Sequence, residues 1–144
     1  MSGLTNFILN TISLLSKSGN VSLGSLAGKV VFLYFSASWC PPCRGFTPTL
    51  VEFYEKYHKS KNFEVVLVSW DESEEDFSGY YDKMPWLALP FGERAHVEQL
   101  GTKFGVSSIP TLIAINADTG SIIGTQARTR LLKDPEGAEF PWSD

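Results

Sequence analysis

Hydrophobic positions along the chain follow two periods, and the switches between them mark out its elements. Val30-Val31-Phe32-Leu33-Tyr34-Phe35 is an unbroken apolar run, rich in β-branched and aromatic residues. It predicts a strand over 30–36 buried on both faces. A similar run predicts a strand over 63–70. Between them Phe46, Leu50, Phe53, Tyr54 and Tyr57 fall on one helical stripe, with Glu52, Glu55, Lys56 and Lys59 off it. The spacing predicts a helix over 41–58, so strand, helix and strand form a parallel crossover. Upstream, Leu4, Ile8, Ile12 and Leu15 recur at helical spacing with Phe7 beside them. They predict a short amphipathic helix ending before Ser18-Gly19-Asn20, followed by strand plus turn over 21–28. Further helices are predicted over 74–84 and around Val97, Leu100 and Phe104, with 84–91 bridging them. Segments 111–116 and 121–126 flank Ala117-Asp118-Thr119-Gly120, a turn signal that makes them an antiparallel hairpin. The sum is an α/β chain with a mixed central sheet and helices on both faces. With no internal repeat, low-complexity tract or linker, it reads as a single domain over 1–144.

Composition narrows the function. A chain of 144 residues that is 43% hydrophobic has ample apolar surface to offset chain entropy, which excludes disorder. Its net charge of −4, without a Lys/Arg cluster, gives no electrostatic footprint for nucleic acid or anionic lipid. No apolar stretch approaches a membrane span. The first residues lack a basic region and are interrupted by Asn6, Asn10 and Thr11, unlike a secretory signal. The expected location is cytoplasmic. There thiols are kept reduced, so the two cysteines, Cys40 and Cys43, are a catalytic or metal-binding pair rather than a structural staple.

A Cys-x-x-Cys that follows a buried strand and opens a helix points to dithiol/disulfide exchange. Cys40 occupies the N-cap position and is held extended by the proline after it, so its sulfur can accept from the Cys43 N–H. Pro41 and Pro42 take the first helical positions, where a missing N–H breaks no bond. The positive helix end, with Arg44 in its first turn, stabilises a Cys40 thiolate. Lowering its pKa from roughly 8.5 to 7 raises the attack rate only about three- to fourfold, because nucleophilicity falls with basicity. The larger gain is in Cys40 as a leaving group. Cys40 is therefore the attacking, more exposed thiol and Cys43, one turn inward, the resolving thiol. Metal is the alternative, but zinc needs about four ligands, and His58 and His96 show no ligand spacing. No metal site is expected.

The segment from Val30 to Pro48, with Trp39-Cys40-Pro41-Pro42-Cys43-Arg44, together with Lys103-Phe104-Gly105-Val106 and Ile109-Pro110-Thr111, resembles the thioredoxin superfamily. The resemblance implies the thioredoxin fold, with an N-terminal extension over about 1–28 and an insertion over about 71–97. It also implies a cis Ile109–Pro110 bond facing the dithiol. Within that superfamily the chain resembles the tryparedoxins. The segments that carry this run from Phe35 to Pro48, then Trp70-Asp71-Glu72, Lys83-Met84-Pro85-Trp86-Leu87-Ala88, Ile109-Pro110-Thr111-Leu112-Ile113, Asp134-Pro135-Glu136-Gly137 and Phe140-Pro141-Trp142. Nucleoredoxin domains share the first three; the hairpin residues and the tail favour tryparedoxin. That likeness implies a monomeric carrier, with no cofactor beyond the Cys40–Cys43 disulfide. It would take electrons from trypanothione, a bis-glutathionyl spermidine, and pass them to peroxiredoxin-type and glutathione-peroxidase-type tryparedoxin peroxidases. One departure stands out: thioredoxins usually carry a buried Asp six positions before the first Cys, and here that position is Tyr34.

Sheet geometry suggests where a ligand sits. The functional edge of a parallel sheet lies at the carboxyl ends of its strands, which deliver Trp39-Cys40 from one and Trp70-Asp71-Glu72 from its neighbour. Asp71 and Glu72 are expected on the rim. Extending the hairpin register puts Ile109 opposite Arg128, beside Pro110. A site with Trp39, Ile109 and Pro110 as wall, acid at Asp71 and Glu72 and base at Arg128 suits a ligand with both ammonium and carboxylate groups. Trp70 and Trp86 are expected in the core. The rival readings are a nucleoredoxin or thioredoxin fed by an NADPH-dependent reductase, and a redox-sensing binding module that does no catalysis.

Overall fold

The computed structural model describes residues 13–144. In chain order its elements are β1 (Ser13–Ser16), β2 (Gly19–Ser22), a 3-10 turn (Leu23–Leu26), β3 (Val30–Ser36), α1 (Pro41–Tyr57), β4 (Phe63–Ser69), α2 (Glu74–Tyr81), β5 (Leu87–Ala88), α3 (Arg94–Lys103), β6 (Thr111–Asn116), β7 (Ile122–Gly124) and α4 (Ala127–Lys133). The strands form one sheet in the order β2-β1-β5-β4-β3-β6-β7. β3, β4 and β5 run parallel, while the outer strands join antiparallel. Among the described residues no helix is long and apolar enough to cross a membrane.

The unbroken apolar run of β3 has the expected cause. Phe32 and Tyr34 join the core under α1, α2 and α4, whereas Val31, Leu33 and Phe35 join a second core under α3. Both faces are covered by helices, and the functional edge forms where β3 and β4 end together, at the Ser36–Ser69 pair.

Four expectations need correction. The helical period through Leu15 does not hold: Ser13–Ser16 is a strand that turns back at Gly19, with Leu14 opposite Val21. Leu14 and Leu15 pack on opposite cores, and Leu15 pairs with Ala88 of β5, a partner far along the chain that local periodicity cannot reveal. The rest of that predicted helix, at Leu4, Phe7, Ile8 and Ile12, lies outside the described residues. Second, the bridging segment contains β5, a two-residue strand parallel to β4. Third, the strand expected over 121–126 stops at Gly124, and α4 begins at Ala127, where Ala127 and Leu131 bury an i,i+4 pair. Fourth, the hairpin carries a bulge: Ile115 pairs with Ile122 but Ala114 with Gly124, which adds one residue to β7.

The tail packs on the sheet. Phe140 and Trp142 sit among Phe32, Phe53 and Phe63, and the buried Trp142 donates its Nε1–H to Asp134 at 3.0 Å. A side chain on Gly124 would collide with the Trp142 carbonyl, so glycine is required where the tail crosses β7.

Candidate active site

Cys40 caps α1 in extended geometry, and its Sγ accepts from the Cys43 N–H at 3.3 Å. Pro41 and Pro42 fill the first two helical positions. The two cysteines are joined as a disulfide with Cα atoms 5.2 Å apart. Cys40 is the more accessible, at 5% against 0% for Cys43. This is the order expected of an attacking and a resolving thiol, although Cys40 itself shows only a sliver to solvent. Ile109 closes the other side: its carbonyl oxygen lies 3.9 Å from Cys40 Sγ, and the Ile109–Pro110 bond is cis.

Arg44 does not point at the sulfur. It donates Nη1–H to the Ser38 carbonyl at 2.6 Å, tying the loop before the dithiol to the first turn of α1. Asp71 ties the same loop from the opposite direction. Expected on the rim, it is instead 2% exposed and accepts from Ser38 N (2.9 Å), Ser38 Oγ (2.5 Å) and Ser69 Oγ (2.7 Å). Its carboxylate is consumed by the fold, so it offers nothing to a ligand. Arg94, which the sequence did not single out, completes this frame by donating to the carbonyls of Ser69 (2.8 Å), Asp71 (3.3 Å) and Phe91 (2.6 Å). Burial pushes its guanidinium below the ordinary range, and the charge of Asp71 opposes that shift.

Trp39, by contrast, is 53% exposed beside the disulfide. It joins Trp70, Glu72, Arg94, Glu98 and Val106 around an open cavity of about 480 Å3. Trp70 is half-buried, packed against both Ala37 and the α3 core, so it is wall as well as core; Trp86 is fully buried as expected. Glu72 remains on the rim, and Glu98 from α3 is a second carboxylate there. Arg128 is not opposite Ile109. The bulge shifts the register and β7 stops at Gly124, which places Arg128 in the first turn of α4, with Nε buried and unpaired.

A family model described as thioredoxin-like matches residues 28–122. Tryparedoxin of Trypanosoma brucei brucei is 72% identical over 99% of both chains, and a solved structure of Trypanosoma brucei tryparedoxin superposes with a TM-score of 0.98 over the full length of both. This chain belongs to the tryparedoxins, in the thioredoxin-like family. A tryparedoxin II solved in complex with glutathionylspermidine is 57% identical over 99% of this chain and all of its own, with a TM-score of 0.96. Human nucleoredoxin is 46% identical over 82% of this chain, which spans 27% of that longer protein. Like other tryparedoxins, the chain is a thiol-disulfide oxidoreductase, and Cys40 and Cys43 are its redox pair.

Behind the tryparedoxin dithiol the structure is sealed. Tyr34 is fully buried; its hydroxyl lies 3.3 Å from the Cys43 carbonyl oxygen and 2.7 Å from Thr47 Oγ1. Burial and the neighbouring Tyr80 push the Tyr34 phenol far above its ordinary value, so it stays protonated and is no base. Thr47, Tyr80 and Ser36, all missed from sequence, complete this polar island. Their signal was faint, since Thr47 and Tyr80 fall within helical segments where hydroxyls are unremarkable.

Proposed function

We propose that this chain is a cytoplasmic, monomeric carrier that takes reducing equivalents from trypanothione and passes them to peroxiredoxin-type and glutathione-peroxidase-type tryparedoxin peroxidases. The observation that carries the reading is the relative in complex with glutathionylspermidine, because that compound contains most of the trypanothione skeleton. The cavity beside Cys40 supports it: Glu72 and Glu98 offer negative charge for the spermidine ammonium, and Trp39 offers an apolar wall.

A trypanothione thiolate attacks Cys40 Sγ, the more accessible sulfur, and Cys43 leaves as a thiolate that takes up a proton. The second trypanothione thiol then attacks the mixed disulfide, closing trypanothione disulfide and releasing Cys40. The reduced Cys40 attacks the disulfide of the peroxidase, and Cys43 resolves that adduct. The cycle needs no bound group besides the dithiol.

The test compares reduction by trypanothione, by glutathione and by thioredoxin reductase with NADPH, then follows transfer to a peroxidase of each type. Preference for trypanothione is the expected result. Preference for the reductase would place the chain with the nucleoredoxins in function, and slow exchange with all three would make it a redox-sensing module. Glu72→Lys is expected to raise KM for trypanothione about two- to fivefold, the scale of an exposed charge pair, with less effect on glutathione. Unchanged kinetics would remove Glu72 from the site.

A further inference from the structure

Four buried hydroxyls converge behind Cys43. Ser36 Oγ lies 2.7 Å from Tyr80 OH, Tyr80 OH 2.9 Å from Thr47 Oγ1, and Thr47 Oγ1 2.7 Å from Tyr34 OH. Two further contacts reach the Cys43 carbonyl, from Thr47 Oγ1 at 3.0 Å and from Tyr34 OH at 3.3 Å. That makes five contacts for four hydroxyl hydrogens, so one contact carries none. The Tyr34 contact to the carbonyl is the longest and is the one left over. Tyr34 then donates to Thr47, and Thr47 donates to the Cys43 carbonyl. With its hydrogen committed, Thr47 must accept from Tyr80, and Tyr80 in turn accepts from Ser36. Every O–H therefore points along the chain toward one acceptor, and the members of such a chain strengthen one another. The acceptor belongs to Cys43, the residue whose N–H donates to the capping Cys40 Sγ and whose side chain is the resolving thiol.

We propose that this hydroxyl chain, centred on Thr47, is a positioning device for the resolving thiol. It fixes the Cys43 peptide so that its sulfur meets Cys40 in the second half of exchange, and it supplies no proton acceptor. In that step the Cys43 thiol first loses its proton to solvent. The Cys43 Sγ–Cys40 Sγ bond then forms as the bond from Cys40 to the partner sulfur breaks, and the partner leaves as a thiolate that is protonated by solvent. Thr47 and Tyr80, the middle links of the chain, also line a cavity of about 570 Å3 between α1 and the end of α2, together with Pro48 and Lys83. Pro48 adds to the need for a clamp, because it cannot bond the Arg44 carbonyl and weakens the helix ladder next to Cys43.

Stopped-flow reaction of the reduced protein with 5,5′-dithiobis(2-nitrobenzoate) separates the steps. The first thionitrobenzoate reports attack by Cys40, and the second reports closure by Cys43. Thr47→Val keeps the shape and removes the hydroxyl; it is expected to slow closure about three- to tenfold, the scale of one buried hydrogen bond, while attack by Cys40 changes less than about twofold. Thr47→Ser keeps the hydroxyl, loses a methyl and is expected to restore most of the closure rate. Tyr80→Phe, one link further out, falls between wild type and Thr47→Val. The pH midpoint of closure is expected to stay fixed while its plateau falls. If Thr47→Ser were slow and Thr47→Val normal, packing rather than the hydroxyl would be responsible and the proposal would fail. A moved midpoint with an intact plateau would overturn it in favour of a proton relay.

Discussion

The two sulfurs of this disulfide face opposite surroundings. On the Cys40 side lie the exposed Trp39, an open cavity and the carboxylates of Glu72 and Glu98. On the Cys43 side the described neighbours are rings and four hydroxyls, with Tyr34 held protonated by burial. Ionised groups act strongly on substrates only where a substrate can approach, so discrimination between thiols belongs to the Cys40 side. The Cys43 side, closed to partners by burial, is expected to govern how fast any adduct is resolved, whichever partner formed it.

The largest effects come from breaking the pair itself. Cys40→Ser is expected to abolish turnover with every partner, because the sulfur that remains is fully buried. Cys43→Ser is expected to retain attack and stall at a mixed disulfide through Cys40, visible as an adduct mass on the intact protein. A stable adduct through Cys43 in Cys40→Ser would reverse the roles of the two sides.

This asymmetry was only half legible in the sequence. The Cys40 side is built from consecutive residues on a strand end and a helix start, where local rules for caps and prolines apply, and the cap at Cys40 formed as those rules require. The Cys43 side is assembled from Tyr34, Thr47 and Tyr80 on three different elements, which periodicity cannot bring together. Asp71 shows the same limit in reverse. Its strand-end position was read correctly, but Ser38 and Ser69, which turn its carboxylate inward, are visible only once β3 and β4 are paired. Arg128 was misplaced by a single bulge, since one extra residue changes both register and facing.

Asp71 therefore links the two sides, and its variant should have the next largest effect. Asp71→Asn replaces an acceptor oxygen by a donor facing Ser38 N–H or the serine hydroxyls, and it removes the charge whose field favours the Arg94 cation. A loss of about 2–3 kcal/mol is expected, seen as a fall of roughly 5–10 °C in Tm. The loop that carries Trp39 and Cys40 should loosen with it, so attack by Cys40 should change more than closure by Cys43. A variant that melts like the wild type would show that the three contacts contribute little.

A second carboxylate sharpens the comparison because it does the same work far from the dithiol. Asp134 accepts from Ala138 N (3.0 Å), Glu139 N (2.9 Å) and Trp142 Nε1 (3.0 Å), pinning the tail over β7. The Glu139 backbone N–H, and after it the Trp142 indole, hold its carboxyl below the usual range. A carboxyl whose folded pKa is depressed adds stability above its unfolded value of about 3.9 and loses it as pH falls through the folded one. Asp134→Asn should therefore lower Tm at pH 7 by less than Asp71→Asn, and the gap to the wild type should close as the pH is taken below about 4. Attack and closure rates should be unchanged in this variant at 25 °C, because neither sulfur touches the tail. A gap that stayed constant from pH 7 to pH 3 would assign the effect to shape rather than charge. A changed closure rate would mean that the sealed side of the dithiol extends through the aromatic core to the tail.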